Sequence, residues 1–244
     1  MQPKDKSGLP WPLKNKLVSM RIPHLPLVKV CCISSIEEAL LAVSAGASAL
    51  GLVSSMPSGP GIIADELIAE IAADVPPPIA TFLLTSRQDA ESIIEQHRFC
   101  RTTTLQLVDH VPHAELRKLR EQLPGIKLVQ VIHVTGPESV KEAKSVALLV
   151  DALLLDSGNQ RLPTKELGGT GRTHDWSLSR QIREASSIPL FLAGGLNASN
   201  VAEAISAVEP FGLDLCSSVR TEGNLDELKL QGFFSAVASS RRRS

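Results

Sequence analysis

From Leu27 onward the chain alternates between short, mostly apolar segments and longer amphipathic segments. Short apolar segments bounded by turn residues are typical of strands buried on both faces of a parallel sheet. The longer segments carry apolar residues at helical spacing, and several follow a capping residue such as Ser35 or Asp175. The pattern therefore predicts strands and helices in alternation, which gives a parallel sheet with right-handed crossovers.

Eight strand–helix units are predicted. The strands are residues 27–32, 49–53, 79–84, 103–108, 127–134, 150–156, 189–193 and 212–216. The helices are residues 36–45, 65–74, 87–97, 112–123, 137–146, 176–185, 197–208 and 225–238. Eight such units in 244 residues predict an α/β protein with a closed (β/α)8 TIM barrel rather than an open sheet.

No Pro/Ser-rich linker divides the chain, so a single barrel domain is expected over residues 25–240. Residues 1–24 form an N-terminal extension that is rich in lysine and lacks the apolar core of a signal peptide. An unstructured extension is the main interpretation of this segment, and a weak organelle-targeting role is the alternative. Residues 241–244 are a short basic tail.

Composition excludes several classes of partner. A net charge of −1, 3% aromatic residues and the absence of tyrosine argue against binding to nucleic acid. No apolar run approaches 18 residues, so no membrane segment is expected. The four cysteines lack the spacing of a disulfide framework, and they are interpreted as reduced thiols of a cytoplasmic protein.

The strongest candidates for chemistry stand at strand ends, because in a barrel all carboxyl ends of strands share one face. Cys31 after the first strand and Asp156 after the sixth make a usable base and acid. Each has a simpler alternative: Cys31 as a small buried apolar residue, and Asp156 as the cap of its loop. Arg87, Asp109 and His133 are further strand-end candidates.

A phosphate site is predicted after the last two strands, where barrels commonly bind phosphate on backbone N–H groups. Gly194 and Gly195 follow the seventh strand, and Ser217 and Ser218 follow the eighth. The alternative for the glycine pair is an ordinary tight turn. The long loop after the sixth strand, which contains the glycine-rich segment 168–172, is either a mobile lid or an exposed flexible loop.

Other enzyme classes are disfavoured. The six histidines are scattered, and no carboxylate or third histidine joins His110 and His113 in a metal set, so no metal is expected. No Gly-x-Ser-x-Gly elbow indicates a hydrolase, and no Gly-x-Gly-x-x-Gly follows the first strand to bind a dinucleotide.

At these residues the chain resembles the phosphoribosylanthranilate isomerase family, the barrel enzymes of tryptophan biosynthesis. The matching segments are Lys29-Val30-Cys31, Gly46 to Gly51, Leu105-Gln106-Leu107, Leu155-Asp156, Gly168 to Gly171, Asp175-Trp176, Ala193 to Leu196 with Val201, and Phe211 to Ser217. These segments occur in the family's order and cover nearly the whole predicted domain. Their combination identifies the family far more specifically than any single segment does.

The resemblance implies an Amadori rearrangement without metal or cofactor, with Asp156 as general acid and Cys31 as general base. It also implies that Gln106 and Gly169 bind a small phosphosugar substrate, that its phosphate lies on Gly194, Gly195, Ser217 and Ser218, and that the enzyme is a monomer or homodimer.

The chain departs from the family pattern at several positions. The family's loop after the second strand carries an arginine that holds the anthranilate carboxylate, whereas here the aligned segment 58–61 has no basic residue. Cys32 and Ser218 each replace a family glycine. The basic side chains that could replace the lost arginine are Arg87, Arg161, Arg172 and Arg220.

Three hypotheses follow. The first is the family's isomerisation of phosphoribosylanthranilate. The second is the same chemistry on a different phosphorylated amino-sugar. The third is a barrel that binds a phosphorylated metabolite without catalysis.

Overall fold

The computed structural model describes residues 25–158, 167, 171 and 173–240. The predicted extension (residues 1–24) and the basic tail (residues 241–244) lie outside this part of the chain. The same holds for three predicted substrate-binding residues, Arg161, Gly169 and Arg172.

Eight parallel strands close into a barrel in chain order, which confirms the predicted fold. The strands are β1 (Leu27–Val30), β2 (Ala49–Val53), β3 (Ala80–Thr85), β4 (Thr104–Leu107), β5 (Lys127–His133), β6 (Ala152–Asp156), β7 (Leu190–Leu192) and β8 (Gly212–Leu215). The barrel closes where β1 pairs with β8, with Lys29 opposite Asp214 and Val30 opposite Leu215.

Eight helices alternate with the strands in the described part of the chain. They are α1 (Ile36–Ser44), α2 (Asp65–Asp74), α3 (Ala90–Cys100), α4 (His113–Gln122), α5 (Glu138–Val146), α6 (Trp176–Ala185), α7 (Val201–Val208) and α8 (Glu227–Ser240). None of these described helices combines the length and apolarity needed to cross a membrane.

Five helices begin later than predicted, and the delay is largest, at three or four residues, for α3 and α7, where polar side chains organise the preceding turn. Helix α3 begins at Ala90 rather than at residue 87, since the Asp89 carboxylate accepts the N–H of Ser92 and caps the helix. Helix α7 begins at Val201 rather than at residue 197, since the side chain of Asn200 accepts the N–H of Asn197.

The alternation of side chains along each strand divides the core into two layers. One set of strand residues, including Val30, Leu50, Leu83 and Leu153, packs with the apolar faces of the helices. The other set fills the barrel and includes Ala49, Phe82, Val129, Leu154 and Phe191. Cys31 and Cys32 belong to the inner set, which places the first strand's cysteines at the mouth of the barrel.

A short hairpin after β8 is absent from the sequence prediction. Strand β9 (Arg220–Thr221) pairs antiparallel with β10 (Asn224–Leu225). The two residues between them, Glu222 and Gly223, both have positive φ angles, 50° and 85°. Such a two-residue turn matches the twist of a hairpin, and it places Arg220 beside the carboxyl end of β1.

Candidate active site

A cleft of about 720 Å³ opens at the carboxyl ends of the strands. Each of the eight strands, or the loop after it, contributes to its wall. The predicted site residues that line it are Cys31, Gln106, Asp156, Gly194, Gly195, Ser217 and Ser218. The barrel therefore brings together the predicted acid, base and phosphate-binding residues, which lie up to 187 positions apart in the sequence.

The Cys31 side chain is buried at the end of β1 and lines the cleft. A hydrogen bond from the Cys32 thiol is the main influence that lowers the pKa of Cys31 below its ordinary value. Burial opposes this effect, while the Lys29 ammonium adds to it through its charge and a hydrogen bond. The site thus favours the thiolate, which is the form that can accept a proton.

Lys29 is fully buried within the barrel, and its Nζ donates to Asp214 Oδ1 at 2.8 Å. Burial alone would lower the pKa of this ammonium, but the charges of Asp214 and Cys31 hold it above its ordinary value. Burial also raises the pKa of Asp214, and nearby Asp156 adds to that. Lys29 therefore stays charged beside Cys31 across the physiological pH range.

Asp156 ends β6 and is largely buried, with its carboxyl group on the cleft. Its Oδ1 accepts the N–H of Ser157 at 2.7 Å. This bond caps the loop after β6, which was the simpler of the two interpretations of Asp156. Asp156 also lines the cleft, as a general acid must. The two interpretations are compatible, because a carboxyl group has a second oxygen.

Backbone N–H groups gather at the end of the cleft formed by β7 and β8. Gly194 and Gly195 have φ angles of 82° and 64°, a left-handed conformation that glycine adopts without strain. Among the described residues, none accepts a hydrogen bond from the N–H groups of Gly194, Gly195, Ser217 or Ser218. This arrangement of free N–H donors suits a phosphate.

Two polar side chains in the cleft lack partners within the described part of the chain. The Oε1 atom of Gln106 and the hydroxyl of Ser218 are both buried, and neither has a hydrogen-bond partner. Buried polar groups are normally paired, so both atoms are available to a ligand. Gln106 lies on β4, on the wall between the predicted acid and the loop after β2.

Two of the four arginines predicted to replace the missing one, Arg87 and Arg220, are in the described part of the chain, and neither lines the cleft. Arg87 is exposed, and its guanidinium donates to the carbonyl oxygen of Ser92 at 2.8 Å. Arg220 instead forms a partly buried ion pair with Glu38, at 2.8 Å from Nη1 to Oε1. The loop after β2 contributes Met56, Ser58 and the 59–60 turn to the cleft, without a cation.

The role of Arg220 as a clamp on β1 could not be read from the sequence. Its Nη2 donates to the carbonyl oxygens of Cys31 and Cys32, while Glu38 on α1 holds the same guanidinium. Glu38 also accepts the N–H of Leu225 at 2.7 Å. The Glu222-Gly223 pair is a turn signal from which the hairpin could have been predicted. The sequence gives no sign that this hairpin contacts Glu38.

Described His, Cys, Asp and Glu side chains form no group of three that could hold a metal ion.

Comparison with known families and curated proteins agrees with this geometry. The family model described as N-(5'phosphoribosyl)anthranilate (PRA) isomerase matches residues 28–236. An N-(5'-phosphoribosyl)anthranilate isomerase of Methanocella arvoryzae is 34% identical over 203 residues, covering 83% of this chain and 93% of that protein. N-(5'-phosphoribosyl)anthranilate isomerase 2 of Methanosarcina mazei is 36% identical over 208 residues, covering 84% of this chain and 91% of that protein.

Solved structures give the same result. The phosphoribosyl anthranilate isomerase of Thermotoga maritima superposes with a TM-score of 0.76 at 28% identity, covering 88% of this chain and 99% of that one. Another phosphoribosyl anthranilate isomerase structure, solved in complex with reduced 1-(o-carboxyphenylamino)-1-deoxyribulose 5-phosphate, gives a TM-score of 0.73 at 27% identity, with coverage of 88% and 99%.

Proposed function

Because the chain belongs to the N-(5'-phosphoribosyl)anthranilate isomerase family, we propose that it catalyses the isomerisation for which that family is named. The substrate is N-(5'-phosphoribosyl)anthranilate, and the product is 1-(o-carboxyphenylamino)-1-deoxyribulose 5-phosphate. The reaction is an Amadori rearrangement in tryptophan biosynthesis. The observation that carries the proposal is that Cys31 and Asp156 line one cleft together with the free N–H groups after β7 and β8.

Asp156 acts first, as the general acid. Its carboxyl proton passes to the furanose ring oxygen, the bond from that oxygen to the anomeric carbon breaks, and the amino nitrogen forms an imine with that carbon. The carboxyl group suits this role because it is largely buried, so little water competes for the proton. The bond from Ser157 to Oδ1 fixes the orientation of the carboxyl group.

Cys31 acts second, as the general base. Its thiolate removes the proton from the sugar's second carbon, which gives an enolamine that becomes the ketone of the product. Lys29 and the Cys32 thiol both stabilise the thiolate, so the base is available near neutral pH. The enolamine becomes the ketone when the proton of the hydroxyl on the second carbon moves to the first carbon, so substrate and product are isomers.

The two ends of the substrate are held by different chemistry. The free N–H groups of Gly194, Gly195, Ser217 and Ser218 bind the phosphate. Gln106 binds the sugar through its unpaired amide oxygen. For the anthranilate end we propose Gly169 as a binding residue and Arg161 or Arg172 as the source of the cation that the loop after β2 lacks.

The described residues of the loop after β6 support that placement. Leu167 is buried in the cleft, and its N–H donates to the Ser58 hydroxyl at 3.4 Å. Gly171 also lines the cleft and approaches Ser217. Of the described residues, Leu167 therefore contacts the loop after β2, and Gly171 contacts the phosphate end. We propose that the enzyme works in the cytoplasm, as a monomer or a homodimer.

The decisive experiment is a turnover assay with freshly made N-(5'-phosphoribosyl)anthranilate, followed by the loss of its fluorescence. We expect Cys31→Ala and Asp156→Asn each to reduce turnover by about 100-fold or more. Two matched controls lie outside the cleft: Cys100→Ala removes another buried thiol, and Asp74→Asn removes an exposed carboxylate. Full activity of either cleft variant would contradict the assigned roles.

A second candidate function follows from the missing cation in the loop after β2. The same acid and base could isomerise a phosphorylated amino-sugar whose amine carries no carboxylate. Two measurements separate the candidate functions. If the protein isomerises phosphoribosylanthranilate, Arg161→Ala or Arg172→Ala should raise the KM for that substrate. Protection from proteolysis by other sugar phosphates, and none by the reduced product analogue, favours the second. Binding without turnover of either substrate would favour the non-catalytic hypothesis.

A further inference from the structure

Three of the four cysteines meet in the cleft, and the proposed reaction uses only one of them. Cys31, Cys32 and Cys216 all line the cleft, whereas Cys100 is buried elsewhere. All four are free thiols in this structure. Cys32 and Cys216 therefore occupy positions beside the general base without a role in proton transfer.

The sulfur atoms of Cys32 and Cys216 are already close. Cys216 Sγ lies 2.6 Å from Cys32 Sγ. A covalent S–S bond is about 2.05 Å long, so only a small movement is needed to form one. The proximity follows from the barrel seam, because Val30 is opposite Leu215 in the pairing of β1 with β8. Cys216 follows Leu215 directly, and Cys32 stands two positions after Val30.

The backbone around Cys32 holds its sulfur in this position. Cys32 has a φ angle of 62°, a left-handed conformation that is rare for residues with a side chain. Gly61 packs against it so closely that a Cβ there would stand 2.5 Å from the Cys32 Cβ. Arg220 grips the carbonyl oxygens of both Cys31 and Cys32.

The three cysteines of the cleft also influence one another through their thiols. The Cys216 thiol donates to the Cys32 sulfur, and the Cys32 thiol is the neighbour that most lowers the pKa of Cys31. The bond with Cys216 is the main influence that raises the pKa of Cys32, so Cys32 stays protonated and keeps its donor role. The base therefore depends on a neighbour that oxidation can remove.

We propose that Cys32 and Cys216 are a redox modification site, where hydrogen peroxide forms a reversible disulfide that switches off the general base. Cys216 is the less buried of the two, and it reacts first. Its thiolate attacks one peroxide oxygen, the O–O bond breaks, and the product is a sulfenic acid, with the other oxygen leaving as water after protonation. Cys32 then attacks that sulfur, the S–O bond breaks, and the hydroxyl leaves as water with the Cys32 proton.

The balance is two thiols and one peroxide giving one disulfide and two waters, with two electrons passing from sulfur to oxygen. Once Cys32 is in a disulfide it has no S–H to donate to Cys31. The pKa of Cys31 then rises, and less thiolate is present at neutral pH. This consequence for activity rests on the proposed function, whereas formation of the disulfide does not.

The test treats the full chain with hydrogen peroxide, blocks the remaining thiols with N-ethylmaleimide and maps the digested peptides by mass spectrometry. We expect the four free thiols to fall to two, and a cross-linked pair of peptides to contain Cys32 and Cys216. Cys100→Ala should keep the cross-link, and Cys216→Ser should lose it. No cross-link, or one that involves Cys31 or Cys100 instead, would overturn the site.

Turnover of the same samples tests the switch separately. We expect the oxidised protein to lose activity by about tenfold at neutral pH, because less of Cys31 is then present as thiolate, and to recover it with dithiothreitol. The Cys216→Ser variant should lose much less in peroxide than the unchanged chain does. A cross-linked protein with undiminished turnover would refute the switch. A protein without turnover at all would still show the cross-link, so the two proposals fail independently.

Discussion

The Lys29 ammonium and the Asp214 carboxylate form an ion pair inside the barrel, with Nζ 2.8 Å from Oδ1. They are neighbours because β1 pairs with β8 at this level. The Lys29 Nζ also lies 5.4 Å from the centre of the Phe82 ring, so the charge is enclosed by aromatic and acidic groups. The pair stands next to the cysteine that we assign as the base.

Breaking this pair should destabilise the protein strongly. Asp214→Asn leaves a buried ammonium without a counter-charge, and such a change costs about 3–5 kcal/mol. Urea unfolding followed by circular dichroism would measure the loss. The double variant Lys29→Met with Asp214→Leu should recover part of it, because no charge then remains buried. Equal stability of Asp214→Asn and the unchanged chain would refute this account.

The pH dependence of catalysis should report the Cys32 thiol. Its hydrogen bond lowers the pKa of Cys31, so replacing it by Cys32→Gly raises that pKa. The acidic limb of kcat/KM, where activity appears as the base loses its proton, then moves to higher pH. The rate of iodoacetamide alkylation at Cys31, measured against pH, should move in the same direction. Cys100→Ala serves as the control and should leave both midpoints in place.

Gly51 provides the space in which Cys31, the proposed base, and Lys29 fit. A Cβ at this position would stand 2.6 Å from Cys31 Sγ and 2.9 Å from Lys29 Nζ. We expect Gly51→Ala to lower the free energy of unfolding by about 1–3 kcal/mol, as overpacked cores do, and to reduce turnover.

Gly232 is the matched control for this substitution. It lies in α8, where an added Cβ meets nothing within 4 Å. Gly232→Ala should stabilise the protein by about 0.5–1 kcal/mol through helix propensity. Thermal melts of both variants would check the signs, and a stabilised Gly51→Ala would contradict the packing described.

Ser218 offers a sharper test of the phosphate site. Its buried hydroxyl has no partner among the described residues, so Ser218→Ala removes an unpaired polar group and should not lower the melting temperature. If the hydroxyl donates to the substrate phosphate, KM should rise by about fivefold, as expected for one hydrogen bond of roughly 1 kcal/mol. An unchanged KM would show that backbone groups alone bind the phosphate.

The alternation of segments was enough to predict the barrel, because strand burial and helix caps are local properties. Helix α6 begins and ends where the sequence predicts, since Asp175 caps it and its oxygen accepts the N–H of Ser177. The late starts of α3 and α7 reflect side-chain turns at Asp89 and Asn200, which compete with the helix for the same backbone groups.

The candidate site was only partly predictable. Cys31 and Asp156 could be proposed because strand ends converge in a barrel. The positive φ angle of Cys32 and its contact with Cys216 could not, because they depend on the seam between β1 and β8. Arg220 was predicted as a possible substrate ligand, yet its partner Glu38 lies 182 positions away. The spacing of residues in the sequence cannot predict a contact between side chains so far apart in the chain.

The clamp made by Arg220 has a consequence for the order in which the site around Cys31 is assembled during synthesis. The guanidinium that grips the Cys31 and Cys32 carbonyl groups is made 188 residues after the second of them. Asp214, which balances Lys29, is synthesised 185 residues after it. A chain still emerging from the ribosome therefore contains the proposed base before the residues that surround it, and both the environment of Cys31 and the neighbouring thiol pair form only when the hairpin of β9 and β10 has joined the first strand.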